Sequence, residues 1–115
     1  MEIKIIKNGV KKEELQKIAS QQYGNLVKAV VDVEKEIMAI GGELHADEEV
    51  FLTEKEDSKR ENTWGINIYP EKDGEEMIEI DSIINIKPFC GNRSRGVEDP
   101  IIREKIIAIV KKLII

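Results

Sequence analysis

The sequence predicts an α+β domain: a largely antiparallel meander sheet of about five or six strands, covered by one helix in the N-terminal half and another at the C-terminus. Three observations carry this. Most strand-like runs are joined by turns too short for the crossover that parallel neighbours need. Two amphipathic stretches, one near each end, repeat their apolar residues at helical spacing. Twenty of the 115 residues are isoleucine while aromatics are only 4%, so the core is branched-aliphatic packing of the kind that lines pleated sheets. That length fits one globular domain, residues 1–115, with a core that needs neither disulfide nor structural metal.

Met1 to Lys7 alternates weakly, with Ile3 and Ile5 on one face, and reads as a short strand before the Asn8-Gly9 turn. Lys11 to Gln22 places Leu15, Ile18, Ala19 and Gln22 on one helical stripe, and Tyr23-Gly24-Asn25 supplies the stop. Leu26 to Val33 and Ile37 to Ile40 are β-branched runs that read as a hairpin around Glu34-Lys35-Glu36. Gly41-Gly42 then breaks or bulges the chain. Glu43 to Glu56 admits two readings: a strand ending in Val50, Phe51 and Leu52, which we favour, or a helix over Ala46 to Glu56 led by acids.

Asp57 to Thr63 is wholly polar and is expected to be an exposed loop. Trp64 to Tyr69 alternates cleanly, with Trp64, Ile66 and Ile68 opposite Gly65, Asn67 and Tyr69. After a turn around Asp73-Gly74, Met77 to Lys87 is the longest strand expected, and Pro88 ends it. Gly91 to Gly96 is a loop. The last helix starts with Asp99 as N-cap and Pro100 at its first position, and buries Ile102, Ile106, Ile109, Val110 and Leu113. Lys111 and Lys112 complement its C-terminal dipole.

Hydrophobic residues are 41% and charged residues 36% of the chain, so a core can form beneath a charged exterior and disorder is not expected. A net charge of -5 and a pI of about 5.0 argue against direct nucleic-acid binding and against anionic membranes. Richness in Ile, Lys and Glu resembles thermophile composition, although AT-rich coding produces the same bias. Cys90, the single cysteine, permits no intramolecular disulfide and no cysteine-based zinc site. The N-terminus lacks the apolar run of a secretory signal, and even Ile101 to Ile115 is broken by five charges. A cytoplasmic location without a membrane span is expected.

Two polar clusters are candidates for chemistry. In GGELHADEE, residues 41–49, Glu43, His45, Asp47 and Glu49 recur at every second position around the only histidine. On a strand they would share one face, where imidazole and carboxylates can converge on a divalent metal such as zinc, helped by Asp32, Asn67, Glu79 or Asp81. His45 with Glu43 and Asp47 can equally do acid-base work, the acids raising the histidine pKa. The competing expectation is a solvated face or a structurally bonded histidine.

The second cluster is GNRSRG, residues 91–96. Asn92, Arg93, Ser94 and Arg95 stand near a helix N-terminus, where arginine and free amides suit a phosphate or carboxylate. Glu98 and Asp99 oppose an anion there, and the spacing is not a Walker loop. The bland expectation is that Arg93 and Arg95 pair with the chain's own acids. Asp32, Asn67, Asp81 and Asn85, polar residues within apolar runs, either line an open sheet face or form a satisfied network, because burying them unpaired is costly. With GNRSRG at its rim, such a face makes a shallow cleft. Cys90 with His45 as its base has no supporting signature and is expected to be inert.

Taken together, AVVDVEKEIMAIGGELHADEE, WGINIYP, INIKP and GNRSRGVEDPIIR resemble an uncharacterised family of small bacterial domains of unknown function, over Lys4 to Leu113. The resemblance implies a single-domain prokaryotic protein and brings no activity, cofactor or catalytic residue.

The residues therefore favour a non-catalytic binding or interaction module, with a polar sheet face and an arginine-bearing loop suited to a small anionic ligand or an acidic partner. The alternative is a small metal-assisted or acid-base enzyme centred on His45. A third reading is a partner in a regulatory or toxin-antitoxin pair, or a homodimer, using a sheet edge or the apolar end at Ile114 and Ile115. No cofactor is expected beyond the divalent metal that the first cluster would admit.

Overall fold

The structure, a computed structural model, describes residues 2–115; Met1, where the first expected strand begins, lies outside them. The chain order is β1 (Lys4–Ile6), α1 (Lys12–Gln21), β2 (Val27–Asp32), β3 (Ile37–Ile40), α2 (His45–Glu56), β4 (Thr63–Ile68), β5 (Ile78–Glu79) and α3 (Pro100–Leu113). The five strands form one sheet in the order β1-β3-β2-β4-β5, and every adjacent pair is antiparallel. The fold is α+β with a meander-like sheet, as the short turns predict.

The pleat sorts the side chains. Val27, Ala29 and Val31 of β2, Met38 and Ile40 of β3, and Trp64, Ile66 and Ile68 of β4 face α1 and α3 in one large apolar core. α1 contributes Leu15, Ile18 and Ala19, and α3 contributes Ile106, Ile109, Val110 and Leu113, close to their expected stripes. Asp99 caps α3, its carboxylate accepting from the Ile101 amide at 2.9 Å. The C-terminus is tied back: the Ile115 amide donates to the Val10 carbonyl at 2.9 Å, and Ile114 packs against the core while Ile115 stays exposed.

Three expectations fail on the opposite face. Glu43 to Glu56 is not a strand, because His45–Glu56 forms helix α2. Its buried stripe is His45, Glu48, Glu49 and Leu52, helical in spacing but mostly polar. Met77 to Lys87 is not one long strand either, since only Ile78–Glu79 pairs with β4. Beyond Glu79 the Asn85 side chain takes over the ladder: its Oδ1 accepts from the Gly65 amide at 2.7 Å and its Nδ2 donates to the Gly65 carbonyl at 3.0 Å. One side-chain amide thus supplies what a backbone rung would, and the chain turns away through a single 3-10 turn at Ile83–Asn85. Third, Asp57 to Thr63 is not wholly exposed. Ser58 and Thr63 are buried because their hydroxyls donate to Asp32 and Glu49 respectively, each at 2.6 Å.

Candidate functional site

α2 lies across the second face of the sheet, over the small apolar cluster of Val30, Ile37, Ala39 and Leu52. Around that cluster the seal is polar. Glu49 accepts from Lys87 Nζ at 2.8 Å, and Lys87 is completely buried. Asp32 accepts from the Glu34 and Lys35 amides at 2.9 and 3.0 Å as well as from Ser58. Glu48 accepts from the Gly42 amide at 2.9 Å, and burial raises its pKa well above the ordinary carboxylate value.

At the amino end of α2 this face opens into a cleft of about 310 Å³. Its floor is the register pair Lys28 and Asn67 on β2 and β4, whose side chains stand beside each other on one face. One wall is Leu44, His45 and Ala46, the start of α2; the other is the Asp81–Ile84 segment with Arg95. Gly65 allows the walls to close this far. A Cβ there would lie 2.6 Å from Ser82 Cβ and 3.2 Å from His45 Cγ.

His45 is held by its backbone surroundings, not by acids. Its Nε2 lies 2.7 Å from the Ile66 carbonyl, which can only accept, so Nε2 carries the proton. Burial, the largest cause, pushes the imidazole below its ordinary pKa. The ring is therefore neutral with Nδ1 as an acceptor. Lys28 is half-buried with its ammonium 5.0 Å from the Tyr23 ring centroid, and no carboxylate pairs with it among the described residues. Arg95 donates to Asp81 at 2.7 Å. No side chain caps α2, so the His45 and Ala46 amides at its first turn have no intrahelical acceptor.

The expected site residues divide sharply. His45, Asn67, Asp81 and Arg95, drawn from separate parts of the sequence, line one cleft. Glu43, Asp47 and Glu49 do not join them. Glu43 and Asp47 are exposed, and Glu49 faces Lys87. Among the described residues no group of three or more His, Cys, Asp and Glu side chains converges as a metal site would require. The GNRSRG loop is occupied by its own neighbour, since Glu98 accepts from the Arg93 and Ser94 amides at 2.8 and 3.0 Å. Asn92 is internal, donating to the carbonyls of Asn85 and Gly96 at 2.7 and 2.8 Å. Asn85 and Asp32 are structural. Cys90 is exposed and lies outside the cleft. The sequence reading missed Lys28, Leu44 and Ser82. A lysine inside the otherwise apolar run Leu26 to Val33 was the available signal for the first.

A family model described as Protein of unknown function (DUF5674) matches residues 4–113. The chain belongs to that family. DUF5674 is thus a single α+β unit in this chain, spanning both the cleft and the apolar core. Comparison with curated proteins and with solved structures finds no match. Among the described residues no helix is long and apolar enough to cross a membrane.

Proposed function

We propose that this protein is a non-catalytic binding module that holds a small anionic group in the cleft at the amino end of α2. The observation that carries the reading is the convergence of two uncompensated sources of positive potential, the uncapped first turn of α2 and the ammonium of Lys28, while Arg95 lines the same cleft paired with Asp81. Two other hollows, of about 470 and 650 Å³, are larger, and each is lined by an ion pair, Glu36 with Lys112 and Lys4 with Glu14. Neither is lined by a buried polar atom that lacks a partner.

An acid-base role for His45 is less well supported. Its proton is committed to a backbone carbonyl and the acids beside it in sequence point elsewhere. The test is thermal unfolding at constant ionic strength with acetate, formate and inorganic phosphate. Tm should rise with added carboxylate, and Lys28→Met with Arg95→Met should abolish the rise without lowering Tm in its absence. No rise with any of these anions would overturn the proposal.

A further inference from the structure

The donors of the cleft are only half of its chemistry. Asn67 is nine-tenths buried, and its amide is oriented by Glu79, whose carboxylate can only accept and so takes the Nδ2 proton at 2.9 Å. That leaves Asn67 Oδ1 buried with no hydrogen-bond partner. A buried carbonyl oxygen without a hydrogen-bond partner costs free energy, and Asn67 is one of the residues that line the cleft. His45 Nδ1 is a second acceptor on the same wall. Leu44 and Ile83, 54% and 69% exposed, also line the cleft, as does Ile84, which packs against the small apolar cluster beneath α2. Such apolar lips on a polar floor are the usual make-up of a small-ligand site.

Resting on the binding reading above, we infer that the ligand is a carboxylate whose neighbouring carbon carries an N–H donor and an apolar side chain. That is the chemistry of the last residue of a peptide chain or of a free apolar amino acid. The carboxylate sits at the α2 amides and Lys28, the N–H reaches Asn67 Oδ1, and the side chain lies between Leu44 and Ile83. Charge selects a monoanion. Of the cleft's two cations Arg95 is already neutralised by Asp81, so Lys28 supplies one net positive charge, which balances a monoanion and leaves a dianion over-charged. A phosphate also offers no donor to Asn67 at neutral pH beyond its residual proton, whereas an α-amino or amide nitrogen always does.

Calorimetric titration of the full chain at neutral pH tests this with five probes: acetate, 4-methylpentanoate, N-acetyl-leucine, leucine and N-acetyl-leucinamide. N-acetyl-leucine or leucine should bind about tenfold tighter than 4-methylpentanoate, the gain expected from satisfying one buried acceptor, and N-acetyl-leucinamide should not bind. The tighter of the first two identifies the source, a chain terminus or a free amino acid. Asn67→Ala should remove the tenfold advantage and leave 4-methylpentanoate unchanged. If that variant does not fold, the ranking on the unaltered protein decides. Equal affinities for 4-methylpentanoate, leucine and N-acetyl-leucine overturn the inference while leaving anion binding intact. Binding of none of the carboxylates, acetate included, removes both.

Discussion

The two faces of the sheet are sealed by different chemistry. On the α1/α3 face, aliphatic side chains from β2, β3 and β4 meet aliphatic helix stripes, and each residue contributes roughly in proportion to its buried area. On the α2 face the helix presents His45, Glu48, Glu49 and Leu52, and only Leu52 acts that way. The other three depend on a named partner: Ile66, Gly42, and Lys87 with Thr63. The hollows beside α1 and α3 are lined by no buried polar atom that lacks a partner. On the second face the partners run out at Asn67, beside the start of α2.

The contrast breaks most visibly at Lys87. Lys87→Met strands Glu49 in the interior and should cost about 3–5 kcal/mol in denaturant unfolding, and adding Glu49→Leu should recover most of it. Ile106→Ala on the apolar face should lose about 2–5 kcal/mol, and no single partner change should restore it. A double-mutant cycle that finds Lys87 and Glu49 additive would contradict the distinction.

Gly65→Ala should come next, at about 1–3 kcal/mol, because its methyl meets Ser82 and His45 with little room to yield. The same change should weaken carboxylate binding, since it forces apart the two walls of the cleft; retained affinity in a destabilised variant would argue that the walls are independent of Gly65.

The pH profile provides a smaller effect with a definite sign. Glu48 has a folded pKa above its ordinary 4.5, so its contribution is complete below that value and is lost as pH rises through the raised one. His45 has a folded pKa below its ordinary 6.5, so its contribution is complete above 6.5 and is lost as pH falls through the lowered value. Glu48 should therefore make urea midpoints fall as pH rises from its ordinary 4.5, and Glu48→Gln should flatten that fall while the His45 loss below 6.5 persists. An unchanged fall in that variant would show that Glu48 is not the group responsible.

The same contrast explains what the sequence made legible. Leu15, Ile18 and Ala19, the alternation of Trp64, Ile66 and Ile68, and the Asp99-Pro100 start of α3 are apolar or capping patterns, and hydrophobic periodicity reads them directly. α2 was concealed because its buried stripe is His, Glu, Glu and Leu at helical spacing, while Glu43, His45, Asp47 and Glu49 mimic strand alternation. Met77 to Lys87 misled for a related reason: the side chain of Asn85 replaces a ladder rung, which no local pattern announces. His45, Asn67, Asp81 and Arg95 were all visible as unusual residues, yet their meeting depends on the β2–β4 register and on the Ser82 amide donating to the Arg95 carbonyl at 3.0 Å. Those are long-range contacts between segments whose spacing in sequence says nothing of their adjacency.

A carboxylate site at the first turn of α2 has a direct signature in backbone amide NMR during titration with N-acetyl-leucine. Saturable shifts are expected at His45 and Ala46, with Lys28 and Asn67 following at the same midpoint and the α1/α3 face silent. Saturable binding that moves α1 or α3 and leaves His45 and Ala46 unshifted would contradict it.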